Sequence, residues 1–109
     1  MTGTVPGVDV RSRLRAELTA SLKRRDRAVA AALRSAVAAV DNAEAVDPTG
    51  VDTTEVARRE LSADEIDAIL HHEVDDLRTA AEEYAELAQA DRAADLAAGA
   101  AALSAILDP

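Results

Sequence analysis

Apolar residues recur at helical spacing along most of this chain. Val10, Leu14, Leu18 and Leu22 fall every fourth residue with charges between them, which predicts an amphipathic helix from residue 9 to about 24, after a flexible lead-in over residues 1–8 that holds Gly3, Pro6 and Gly7. Asp26 is placed to start a second helix, about 27–45, with Val29, Leu33, Val37 and Val40 on one face and an alanine-rich remainder that favours helix. "DPTG", residues 47–50, should stop it, because Pro cannot continue the hydrogen-bond ladder and Gly permits a tight turn. The connection up to Leu61 is the longest irregular stretch, although "TTEVARR" has the composition for a short helical turn.

The clearest local signal is "SADE", Ser62 to Glu65. It forms a capping box, with the Ser62 hydroxyl accepting from the third amide and the Glu65 carboxylate reaching back to the cap. A long third helix, 63 to about 89, should follow, its stripe formed by Ile66, Ile69, Leu70, Val74, Leu77, Ala81, Tyr84 and Ala88. Asp91 is the expected cap of a fourth helix carrying Leu96, Leu103, Ile106 and Leu107 and ending at Asp108 and Pro109, with Gly99 weakening its centre by about 1 kcal/mol and inviting fraying. No internal repeat is present. The pattern predicts one all-α domain over residues 9–109, a compact four-helix arrangement of largely antiparallel neighbours.

Composition adds three constraints. With 109 residues, no Phe, no Trp and one Tyr, the core must be built from Leu, Ile, Val and Ala and should be thin, so a helical partner or a second copy that completes it is a natural expectation. The absence of Cys excludes disulfides, thiolate metal sites and thiol nucleophiles. No apolar run approaches the roughly 18 residues of a membrane span, and the start "MTGTVPGVDV" lacks the basic and apolar regions of a secretion signal, so the expected location is cytoplasmic and away from membranes.

The net charge of −9 is unevenly spread. Residues 1–40 hold eight Lys and Arg against Asp9, Glu17 and Asp26, a net of +5; residues 41–109 hold four Arg against eighteen acids, a net of −14. Lys23, Arg24, Arg25, Arg27 and Arg34 therefore form a candidate phosphate-facing patch on the first two helices. The opposing reading is that the acidic half of the same molecule neutralises them.

Candidate chemistry is sparse. "HHE" with its neighbours places Asp67, His71 and Asp75 on one ridge of the third helix, in principle close enough to share an ion. The spacing fits neither an H-E-x-x-H zinc motif nor a Glu-x-x-His di-iron motif, so each His is expected to form an exposed pair with a carboxylate one turn away, and no metal site is assigned. There is no G-x-S-x-G elbow, P-loop or G-x-G-x-x-G, so no catalytic or cofactor-binding residue is assigned and autonomous catalysis is not expected. Glu73 breaks the pattern, since it lies between Ile69 and Leu77 inside the apolar stripe, where a bare carboxylate is costly. Arg34 is its expected partner, in a part-buried pair fixing helix register; a ligand-facing Glu73 is the alternative.

"ASLKRRD", "LR", "NAEA", "ELSADEI", "HEV" and "AAEEYAELAQADRAADL", in that order over residues 10–107, resemble the N-terminal part of the GatB/YqeY family. The positions that carry the likeness are Leu22, Lys23, Asp26, Leu33, Arg34, Asn42, Glu44, Leu61, Ser62, Glu65, Glu73, Tyr84, Asp91 or Asp95, and Leu96. The resemblance implies an all-helical module found alone or as the tail of the B subunit of the tRNA-dependent amidotransferase, which converts misacylated Glu-tRNA or Asp-tRNA to the amide form. In that enzyme the tail helps to hold tRNA while the chemistry occurs elsewhere; stand-alone members are classed with carbon-nitrogen ligases using glutamine as amido donor. The chain departs from the family in ending before the smaller second helical subdomain, and in having "VDDLR", with Asp75 and Asp76, where a basic segment is usual. Two functions follow as expectations: an accessory module associating with tRNA or a tRNA-modifying assembly, or a helical protein-interaction module, self-associating or not, without a nucleic-acid role.

Overall fold

The computed structural model describes residues 6–45 and 61–108, and these form four helices with no strand among the described residues. The expected "DPTG" stop, the turn at "TTEVARR" and the first five residues of the lead-in lie outside them. The helices are α1 (Pro6–Arg24), α2 (Arg27–Glu44), α3 (Ala63–Glu86) and α4 (Ala90–Leu107).

α1 begins three residues earlier than the apolar pattern indicates. Pro6 stands at its first position, where the amide hydrogen that Pro lacks would have no helical partner, so residues 6–8 belong to the helix and not to the lead-in. α1 closes on Arg25, which adopts a left-handed φ of 61° while its N–H donates to Leu22 O at 3.1 Å and that of Asp26 to Ser21 O at 2.9 Å. Asp26 then starts α2 as expected, its Oδ1 accepting from the Val29 N–H at 3.2 Å.

The same closure recurs between α3 and α4. Ala88 takes φ 61°, its N–H donates to Ala85 O at 3.1 Å, and the Gln89 N–H donates to Tyr84 O at 2.9 Å. α3 therefore ends at Glu86, and Ala88, assigned above to its apolar stripe, is an exposed turn residue. The capping box at its other end is present in both directions: the Glu65 N–H donates to Ser62 Oγ at 3.1 Å and the Ser62 N–H to Glu65 Oε1 at 2.9 Å. α4 corrects a second expectation. Its cap is Gln89, with no side-chain cap bond, and Asp91 lies inside the first turn, where its charge favours the positive helix end.

α1 and α2 fold back on each other across their turn, and α3 and α4 do the same, with Arg92 meeting Tyr84 across the second turn. Arg11 of α1 pairs with Glu44 at the far end of α2, and Ser35 of α2 meets Glu73 of α3. α2 and α4, by contrast, run in the same direction. Arg27 and Arg92, each in the first turn of its helix, line one depression, and further along, Gly99 approaches Ala32. A Cβ on Gly99 would stand 2.7 Å from the Ala32 Cβ. Gly99 is thus buried at a close helix crossing and is not a site of fraying, because a side chain there would force the two backbones apart. Leu33 and Ala36 of α2, Ile66 and Leu70 of α3, and Leu103 of α4 are buried at the centre, with Leu14, Val29, Val40, Val74, Ala100 and Ile106 around them. This places the α1–α2 and α3–α4 turns side by side at one end of the bundle.

Candidate functional site

At the α1–α2 turn the chain forms an open depression of about 420 Å³ lined by Ser21, Leu22, Arg25, Asp26, Arg27, Ala30 and Arg34. Three local features build it. The left-handed turn fixes Arg25 at the rim; Arg27, Ala30 and Arg34 are spaced i, i+3, i+7 and share one face of α2. Leu22, expected to belong to the buried stripe of α1, is 45% exposed and lines the depression beside Ser21 and Asp26.

The five candidate phosphate-facing residues are all exposed. Arg24 is engaged within its own hairpin, with Glu17 Oε2 at 3.2 Å and Asp26 Oδ2 at 3.9 Å. Lys23 and Arg24 also stand in the last turn of α1, where cations complement the negative helix end, so both have a structural role without any ligand. Arg25, Arg27 and Arg34 have no ion-pair partner among the described residues, and the one carboxylate lining their common hollow is Asp26. The structure therefore gathers three of the five around one concavity and leaves their charge uncompensated at contact distance. Arg27 also lines a second depression of about 460 Å³ between α2, α3 and α4, with Ala28, Ala31, Ala32, Leu77 and Leu96 as its apolar wall and Arg92 and Asp95 at its edge.

Glu73 corrects the expected pairing. Its Oε1 accepts a hydrogen bond from Ser35 Oγ at 3.0 Å, while Arg34 lies on the α1 side of α2 in the depression just described. One residue along a helix turns the side chain by about 100°, enough to exchange the neighbour that Glu73 meets. Among the described residues the buried carboxylate is Glu44, 8% exposed and paired with Arg11. Sequence spacing contained that signal: Glu44 follows Val37 and Val40 at i+7 and i+4 on the face turned to α1.

The two histidines form the exposed pairs expected of them. His71 Nδ1 lies 2.9 Å from the Asp67 carbonyl and 3.4 Å from Asp67 Oδ2, and His72 Nε2 lies 3.4 Å from Asp76 Oδ2. Among the described residues no three His, Asp or Glu side chains gather around a common point. The outer face of α3 is strongly acidic, with Asp64, Asp67, Asp75, Asp76, Glu82, Glu83 and Glu86 exposed. The one Tyr of the chain, Tyr84, is half-buried and has the Arg92 guanidinium over one face, 5.2 Å from its centroid. Among the described residues no helix is long and apolar enough to cross a membrane.

Comparison with known proteins found no matching family model, no matching curated protein and no matching solved structure.

Proposed function

We propose that this chain is a non-catalytic accessory module of GatB/YqeY type, related to the tail of the tRNA-dependent amidotransferase, and that it associates weakly with tRNA through Arg25, Arg27 and Arg34. The observation that supports the reading is the cluster of three guanidiniums around the Leu22 depression, exposed and without ion partners among the described residues. A guanidinium matches phosphate with two parallel N–H donors, so three on one rim suit a bent polyanion backbone. The association is weak because the acidic face of α3 repels the same polyanion at longer range. It discriminates poorly among tRNA species, since phosphate contacts carry no base information and no aromatic ring lines the depression.

The test is a mobility shift of unfractionated tRNA at about 50 mM salt, where the electrostatic attraction is strongest. The parent protein should shift tRNA with a dissociation constant in the range of micromolar or weaker. The variant with Arg25, Arg27 and Arg34 all changed to Gln should not, whereas Lys23→Gln should retain most of the binding. No shift by the parent protein removes the tRNA reading and leaves a helical protein-interaction module as the better account.

A further inference from the structure

We infer that two copies of this chain associate end to end about a two-fold axis, the Leu87 turn of each copy seating in the Leu22 depression of the other. The inference does not rest on the tRNA reading; it needs only that the arginines of the depression are uncovered.

Both turns lie at the same end of the bundle because α2 and α4 run in parallel, with Arg27 and Arg92 in their first turns lining one depression. The α3–α4 turn projects Leu87, 65% exposed and the more exposed of the two large hydrophobic residues that face solvent among the described residues. Glu83 stands one helical turn behind it and Glu86 beside it, both exposed and without an ion partner among the described residues. The other is Leu22, which lines a depression with Arg25, Arg27 and Arg34. An exposed leucine flanked by carboxylates thus lies beside a hollow in which Leu22 is flanked by three guanidiniums and one carboxylate, Asp26.

The charges at the α3–α4 turn also oppose the end of α3. α3 has no basic residue in its last turn; instead Glu82, Glu83 and Glu86 sit where the terminal carbonyls already concentrate negative charge. At α2 the Asp26 cap already complements the positive helix end, while Arg27 beside it has no ion partner among the described residues. The acidic end of α3 is unfavourable in an isolated copy, and guanidiniums from a second copy relieve it. Because the two turns are neighbours, one two-fold rotation makes both contacts at once, so the association closes at a dimer and does not propagate into a chain. Its rim is charged, so the dimer is salt-sensitive. It covers Arg25 and Arg27, so a polyanion competes with the second copy.

Sedimentation equilibrium of the full chain, from about 10 µM to about 1 mM, is the test, at low salt and at about 500 mM salt. The expected result is a mass rising from one copy toward two with concentration, with a dissociation constant at least tenfold higher in high salt. Leu87→Asp should remove the dimer, as should Glu83→Lys with Glu86→Lys, which also suits the helix end and so leaves the far-ultraviolet circular dichroism intact. Arg25→Glu with Arg27→Glu should likewise be monomeric alone. Mixing the two charge-reversed variants should restore a dimer, because both contacts are then complementary. A single-copy mass throughout at low salt overturns the inference. So does a dimer insensitive to Leu87→Asp and to both charge reversals, which would place the contact elsewhere, for example on the exposed alanines of α4. Mobility shift of tRNA by the Leu87→Asp variant reads the other proposal separately.

Discussion

Replacing Gly99 with Ala should destabilise the protein, although by helix propensity alone it should stabilise it. The added methyl would stand 2.7 Å from the Ala32 Cβ, 3.7 Å from the Ala28 carbonyl oxygen and 4.0 Å from Leu77 Cδ1. Carbon atoms rest at about 3.5–4.0 Å, so α2 and α4 must separate locally by roughly 1 Å. The obstructing Cβ is fixed to a helix backbone and cannot rotate away. Propensity returns about 1 kcal/mol, while overpacking of this kind costs about 1–3 kcal/mol and here also loosens contacts of neighbouring Leu33 and Leu103. The net expectation is a loss of up to about 2 kcal/mol, which at about 4–8 °C per kcal/mol lowers Tm by as much as about 8–16 °C. Thermal and urea denaturation followed by circular dichroism measure it. Adding Ala32→Gly should recover part of the loss, so that the double variant falls short of the summed single effects by about 1 kcal/mol. A Gly99→Ala variant with a raised Tm would refute the close crossing.

Four further outcomes follow from the same geometry. Ala88→Gly should raise stability by about 1 kcal/mol, since the left-handed φ strains Ala and not Gly; an unchanged urea midpoint would contradict it. Ser62→Ala should cost about 1 kcal/mol through the lost capping box, seen in the same denaturation assay. Glu44→Ala and Arg11→Ala should each cost roughly 1–3 kcal/mol and together less than their sum, with full additivity counting against the pair. Glu73→Ala should couple to Ser35→Ala by about 0.5–1 kcal/mol and be additive with Arg34→Ala; coupling to Arg34 would restore the pairing expected from the sequence.

What local chemistry controls was legible in the sequence. The Asp26 cap and the Ser62–Glu65 box depend on residues within three positions of each other, and the spacings of Val29, Leu33 and Val40 or of Ile66, Leu70 and Val74 report burial directly. The errors arise where a second element decides. Gly99 reads as a weak point in an isolated helix and becomes a requirement once Ala32 is opposite. Glu73 needed a polar neighbour, but choosing between Arg34 and Ser35 required the rotation of α2 against α3. The left-handed turn at Ala88 has no compositional signal, because Ala favours helix, so α3 was expected to run three residues too far. Of the candidate site, the residue types were legible and their grouping was not. Arg24 is engaged by Glu17 and Asp26, whereas Arg25, Arg27 and Arg34 share a concavity with Leu22, which reads as core in the helical pattern.

The central claim is that three uncompensated arginines meet phosphate, and the salt dependence of tRNA binding tests it most directly. Each phosphate neutralised releases counterions, so three contacts predict a slope of log K against log salt of roughly −2 to −3 between about 50 and 200 mM. Measured by anisotropy of labelled tRNA, Arg34→Gln should reduce that slope by about 0.7–0.9, and the Arg25, Arg27, Arg34 triple Gln variant should bring binding below detection. Binding whose affinity and slope are unchanged in the triple variant, or no binding by the parent protein at about 50 mM salt, would contradict the claim.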